Sequence, residues 1–174
     1  YSRDLYLSES ERYYLRDKQD EPYVYNFKVT SVHYYESKYL FLLSCEILID
    51  KLNNLKDNCK HLLVGTESCI DISKQNEYVY HFIIHNEDDT LGNILQSHIS
   101  KMINEKDLIQ VCGYKKVHPL EEKINVIVSI NPQHKSASKS EQQKVSDIIT
   151  YIISSLDQLL EIYETIHSTA EKQL

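Results

Sequence analysis

The sequence is short of several ordinary ingredients, and each shortage excludes something. Its 174 residues include no tryptophan, one methionine, three glycines and three prolines. Gly65, Gly92 and Gly113 cannot supply a G-x-G-x-x-G turn, and no G-K-S/T triplet occurs, so neither common phosphate loop is present. The four cysteines, Cys45, Cys59, Cys69 and Cys112, form no C-x-x-C pair, which removes zinc ribbons and thioredoxin-like motifs. Cys45 and Cys112 lie in apolar runs and read as buried, reduced thiols of a reducing compartment. No G-x-S-x-G elbow is present. No apolar run approaches the roughly 18–20 residues that span a bilayer, so no membrane role is expected. Positive charge is also short, with 19 Lys and Arg against 26 Asp and Glu and a net charge of −7. A protein gripping nucleic acid over a wide face is normally basic, so DNA is expected to be met only indirectly.

What is present is patterned. Hydrophobic residues make up 41% of the chain and charged residues 26%, which suits one ordinary domain or two very small ones. Ile, Lys, Asn and Tyr are abundant, a usage that A+T-rich coding produces. Residues 1–21 are charged and tyrosine-rich and predict an irregular arm with one helical turn at Ser8–Leu15. Residues 23–32 alternate, with Tyr23, Tyr25, Phe27 and Val29 on one side, and predict a half-buried strand. The period then changes. Phe41, Cys45, Leu48, Leu52 and Leu55 step by four and three, one face of a helix widened by Leu40, Leu43 and Ile47. Residues 56–76 read as a connector with a short strand around Leu62–Val64.

Alternation returns over 77–85, another strand. Leu91, Ile94, Leu95, Ile99, Met102 and Ile103 then predict a helix. Residues 107–117 and 121–130 predict two strands joined by a turn at His118–Leu120. Val145, Ile149, Ile152, Leu156, Leu159, Tyr163 and Ile166 predict a last helix, opened by a capping box at Ser138 and Glu141. At roughly 28 residues it would be about 40 Å long, too long for a small sheet to cover. Such a stripe asks for a partner helix, and the one at 37–55 is the internal candidate. The order predicts an α/β (α+β) two-layer fold, a small sheet packed against long amphipathic helices.

The densest chemistry is the stretch H-N-E-D-D from His85 to Asp89. Carboxylates and imidazole suit a metal or acid–base site, and a small metal-dependent enzyme is one alternative. Neighbours on a strand point to opposite faces, however, and acids before a helix complement its dipole. Asp89 or Thr90 can serve as N-cap, so helix entry is the favoured reading, with no cofactor and no metal. Gly92 in the first turn costs the helix up to about 1 kcal/mol, which points to close backbone approach of a neighbour. The fourteen tyrosines allow a nucleic-acid-binding module as another alternative. Alternation of Tyr23, Tyr25, Tyr78 and Tyr80 on strands favours packing instead.

Two motifs, N-E-D-D-T-L-G-N-I-L and G-Y-K-K-V-H-P-L-E-E, stand in an order and spacing that resembles the small α-like subunit of cellular RNA polymerases, the archaeal L type. The resemblance covers about 78–170 and rests on Glu87, Asp88, Thr90, Leu91, Gly92, Asn93, Gly113, Tyr114, His118, Pro119, Leu120 and Glu121. Asp89 and Val117 stand where the family often has histidine and proline. Residues 23–52 look like the closing strand and helix of the larger, D-type subunit. The D-like piece followed by an L-like domain resembles the fused subunit of large cytoplasmic DNA viruses of the African swine fever virus type. With Tyr1 in first place, a C-terminal piece of such a fusion is expected. The resemblance then implies a D-like part over 1–56, a connector over 57–77 and an L-like dimerisation domain over 78–174.

It also implies a non-catalytic platform. The platform would dock the second-largest catalytic subunit and a small zinc-binding subunit, with the missing N-terminal half as a further partner. Magnesium and nucleotide chemistry would belong to the large subunits, and the setting would be the host cytoplasm, the viral factory or the virion. Phe41, Leu48, Leu52 and Leu55 on one helix, and Ile149, Ile152, Leu156, Leu159 and Tyr163 on the other, would form the pseudo-dimer core. Gly92 would face either the other half of the chain or a large subunit.

Overall fold

The structure, a computed structural model, describes residues 15, 16, 18, 22–24, 27–32, 34–104, 107–116, 118 and 120–173. The chain divides into two compact units, Tyr1–Phe41 and Leu42–Leu174. In the first, β1 (Leu15–Arg16) pairs antiparallel with β2 (Pro22–Val24). The strand expected over 23–32 is therefore found at its start and not at its end. Residues 27–32 carry no strand, and Phe27 and Val32 are each 87% exposed. Alternation specifies a strand only where a neighbour supplies the ladder and one face is covered, and β1 offers two residues. Of the turn expected at Ser8–Leu15, residues 8–14 lie outside the described residues and Leu15 is strand.

Helix α1 runs over Ser37–Val64, nine residues past the expected end. The segment read as a connector over 57–77 is thus helix to Val64, and the strand placed at Leu62–Val64 is not formed. The stripe continues through Cys59 and half-buried Leu62, so burial favoured the helix over the polar residues between them. Gly65 stops it at φ +78°. Its N–H reaches the Leu62 carbonyl and the Thr66 N–H reaches the His61 carbonyl, the paired bonds of a Schellman ending. Ile47, expected to widen the buried face, is 49% exposed.

Four antiparallel strands follow: β3 (Ile70–Lys74), β4 (Val79–His85), β5 (Ile109–Lys116) and β6 (Lys123–Ile130), in the order β3-β4-β6-β5. Helix α2 (Asp89–Met102) connects β4 to β5, and a 3-10 turn at Lys135–Ser138 leads into α3 (Glu141–Gln173). Every second side chain of β4 and β6 enters the core: Tyr80, Phe82 and Ile84 on one, Ile124, Val126, Val128 and Ile130 on the other. The helices cover that face, which makes an α+β two-layer fold. The capping box at Ser138 and Glu141 is not formed as expected. Ser138 closes the 3-10 turn, while Glu141 is the first residue of α3 and its carboxylate pairs with Lys74 at 3.0 Å.

The two long helices pack antiparallel. Lys56 pairs with Asp157, and two to three turns along, His167 approaches Glu46 at 3.4 Å. Leu52, Leu55 and Cys59 join Ile149, Ile152, Leu156 and Leu159 in one buried cluster. Ile148, Ser155 and Leu160 are buried as well, so α3 presents a face wider than its stripe. The 33 residues of α3 span about 50 Å, against about 27 Å for an eight-residue strand. The excess shows at its C-terminal end, where Ile162 and Ile166 are 46% and 40% exposed on either side of the His167 that approaches Glu46.

Candidate functional site

The chain enters α2 through a turn in which Asn86 adopts φ 59°, a conformation that asparagine tolerates. The Asn86 N–H donates to the Glu122 carbonyl at 2.7 Å, which ties the turn to the start of β6. Asp88 is extended, and its Oδ1 accepts the N–H groups of Thr90 at 3.0 Å and Leu91 at 3.4 Å. The N-cap is therefore Asp88, not the expected Asp89 or Thr90. Asp89 is the first helical residue. The difference arises because Asn86 turns the backbone one residue sooner than sequence spacing indicates.

The five residues from His85 to Asp89 do not converge. His85 points across the outer sheet face to Asp71, Nε2 to Oδ2 2.8 Å. Glu87 and Asp88 turn the other way, to Lys51 of α1, at 2.8 and 3.6 Å from Nζ. The hydrogen bond to Glu87 holds the Lys51 pKa above its ordinary value against the pull of burial. For Asp88, burial pushes upward, but the Lys51 charge and the Leu91 and Thr90 amides outweigh it and leave the carboxyl below its usual range. Among the described residues no three His, Cys, Asp or Glu side chains are grouped to hold a metal ion. His81, four residues before His85, sits between Gln75 and Asn125, each at 2.9 Å. Among the tyrosines, Tyr80 is fully buried and Tyr78 half-buried, while Tyr23 and Tyr25 lie outside the residues whose side chains are described.

Gly92 is packed by its own domain. A Cβ there would lie 2.5 Å from Tyr114 Cδ2, 2.9 Å from Cε2 and 3.0 Å from Cγ. The close neighbour found is Tyr114 of the same domain, where the other half of the chain or a large subunit was expected. The ring of the second motif lies on the backbone of the first. Two further residues of α2 stand on the same helix face, four and eight positions on. Gln96 Oε1 accepts the Tyr114 N–H at 3.3 Å, and Ser100 Oγ donates to the Cys112 carbonyl at 3.4 Å. Gly113 has nothing within 4 Å of where its Cβ would be, and the structure gives no steric reason for glycine there.

The turn between β5 and β6 stands at the same end of the sheet. Its backbone closes through Glu121 N–H to the His118 carbonyl at 3.1 Å, and His118 Nδ1 accepts the Leu120 N–H at 3.2 Å. Glu121 pairs with Lys123 at 2.7 Å, and the hydrogen bond and charge of Lys123 hold its carboxyl below the usual range. Leu120 is 87% exposed at the tip, and Pro119 lies outside the described residues. Of the motif residues, Leu91 and Gly92 are core and Glu87 is clamped by Lys51. Thr90, Asn93, His118, Leu120 and Glu121 are exposed. Of the residues proposed for the helix pairing, Leu52, Leu55, Ile149, Ile152, Leu156 and Leu159 are buried, while Phe41, Leu48 and Tyr163 are half-buried.

Reading the sequence did not single out Lys51, Gln96, Ser100 or Glu122. Helical spacing from Gly92 would have found Gln96 and Ser100, whereas the Lys51 and Glu122 contacts are long-range and leave no local signal. Among the described residues no helix is long and apolar enough to cross a membrane. Comparison with known protein families matches residues 80–165, the span from β4 through most of α3, to the RNA polymerase Rpb3/Rpb11 dimerisation domain.

Proposed function

We infer, from a chain that carries this dimerisation domain of RNA polymerase α-like subunits, a subunit that assembles a DNA-directed RNA polymerase and has no active site of its own. The family match over residues 80–165 carries the reading. The meeting of both motifs through Gly92 and Tyr114, and the antiparallel pairing of α1 with α3, agree with it. In the finer proposal, α1 closes a D-like half that precedes the L-like domain in one chain. The half-exposed overhang around Ile47, Ile162 and Ile166 is then covered by that half. The exposed tip at Leu120, with Thr90 and Asn93 beside the α2 entry, is proposed as the docking surface for the second-largest catalytic subunit. A small zinc-binding subunit docks nearby in this reading. The proposed setting is a large DNA virus replicating in the host cytoplasm, and the net charge of −7 agrees with a place off the DNA path.

Co-expression of the full-length protein with the second-largest polymerase subunit from the same source tests this. A complex that co-elutes on size exclusion, and is lost on Leu120→Asp while the circular dichroism spectrum is kept, is the expected result. A complex indifferent to Leu120→Asp would move the docking surface elsewhere, and no complex at all would sink the assembly role. Stoichiometric metal bound through His85–Asp89 would revive the enzyme alternative.

A further inference from the structure

The two edges of the sheet are finished differently. At β5, the outward backbone groups of Tyr114 and Cys112 are met by Gln96 and Ser100 of α2. At the opposite edge, β3 pairs among the described residues on one side only, with β4. The bonds from the His85 N–H to the Cys69 carbonyl, 3.1 Å, and from the Gln75 N–H to the Val79 carbonyl, 3.0 Å, set the phase of that ladder. Inward and outward residues alternate in an antiparallel pair, so Asp71 and Ser73 face β4 while Ile70, Ile72 and Lys74 turn their backbone outward. Ser68 Oγ takes the Ile70 N–H at 3.2 Å. Among the described residues, no strand lies beside the N–H groups of Ile72 and Lys74 or the carbonyls of Ile70 and Ile72.

Along this edge lies a groove of about 460 Å³ between the end of α1 and the start of α3, with Leu62, Ile72, Val145 and Ile149 among its lining. Its surroundings are acidic. Glu67 precedes β3, Glu77 follows it, and Glu141 stands on the rim, against Lys74 alone on the strand.

We propose that β3 takes up an extended segment of a partner protein by strand addition. The segment's backbone pairs with Ile72 and Lys74, its alternate apolar side chains enter the groove, and Lys or Arg at its ends meet Glu67 and Glu77. Charge argues against a second copy as the occupant. Antiparallel self-pairing would bring together two edges that are each flanked by Glu67 and Glu77, and like charges brought together across strands destabilise the pair. The proposal does not depend on the polymerase reading, because its test uses this chain alone.

The probe is the synthetic peptide acetyl-Lys-Val-Thr-Val-Thr-Val-Lys-amide, titrated into the isotope-labelled 174-residue chain. The amides of Ile72 and Lys74 are expected to shift and to gain protection from hydrogen exchange, more than those of Asp71 and Ser73, which already bond to β4. Lys74→Ala, which removes only the exposed ion pair to Glu141, keeps binding. Lys74→Pro deletes an outward N–H without touching an inward bond and is expected to weaken binding at least about tenfold. A peptide with Glu in place of both Lys is expected to bind about tenfold more weakly at low salt, with the gap closing near 1 M. A peptide N-methylated on its pairing face is expected not to bind the unaltered chain, a control that holds even if the proline variant misfolds. Unmoved amides, equal binding by the proline variant and its alanine control, or protection of the same amides in a peptide-free dimer would each overturn the proposal.

Discussion

Gly92→Ala is the most informative single change. In an ordinary first helical turn it would stabilise by up to about 1 kcal/mol. Here the added Cβ lies 2.5–3.0 Å from three atoms of the Tyr114 ring, Cγ included. Contact at Cγ matters, because turning the ring about χ2 moves Cδ2 and Cε2 away but leaves Cγ where it is. That backbone is held in the β5–β6 ladder and by Gln96. Overpacking of this kind costs about 1–3 kcal/mol, so after the helix-propensity gain the expected net effect is destabilisation by up to about 2 kcal/mol. In a Tyr114→Ala background the obstacle is gone, and the same change is expected to stabilise by up to about 1 kcal/mol. The assay is urea unfolding followed by circular dichroism, since the chain has no tryptophan to report fluorescence. The midpoint should fall in one background and rise in the other, a coupling equal to the overpacking cost of about 1–3 kcal/mol. Stabilisation in both, or the same loss in both, would refute the idea that Gly92 exists to admit Tyr114.

Other substitutions test neighbouring parts of the structure. Asp88→Ala is expected to cost about 1 kcal/mol, as loss of an N-cap does, whereas Asp89→Ala costs little. The Asp88 carboxyl lies below its usual range in the fold, so its contribution is present above the unfolded pKa and lost as pH falls through the folded one. The difference between Asp88→Ala and the unaltered chain should therefore shrink in acid, and a constant difference down to pH 2 would contradict this. Leu156→Ala, at a fully buried position between the long helices and the sheet, should cost about 2–5 kcal/mol. Ile166→Ala on the overhang should stay within about 0.5 kcal/mol in this chain alone, and urea midpoints decide both. Burial pushes the Cys59 and Cys112 thiols up to about 12, so at pH 8 a thiol reagent should label exposed Cys69 quickly and those two only on unfolding. Rapid labelling of all four in the folded chain would contradict the packing.

Most secondary structure in the second unit is legible locally. Alternation in β4 and β6 and the three–four step of α2 and α3 are statements about one buried face, and burial is what the sequence records. The errors fall where a neighbour decides. Among the described residues the expected 23–32 strand has no ladder partner over 27–32, and α1 outlasts a polar stretch because Cys59 finds a core to enter. The cap moved to Asp88 because a single φ of 59° at Asn86 is not visible in residue types.

The acidic stretch and the glycine divide the same way. By itself the sequence determined that acids open a helix, that Gly92 needs a close neighbour, and that two long stripes need each other, since dipoles, missing side chains and unburied apolar faces are local properties. Only the tertiary structure decided that Lys51 holds Glu87, that the neighbour of Gly92 is Tyr114, and that one sheet edge is covered while the other is open. Those are contacts between residues up to 36 positions apart, and their geometry exists only once the core has brought the elements together.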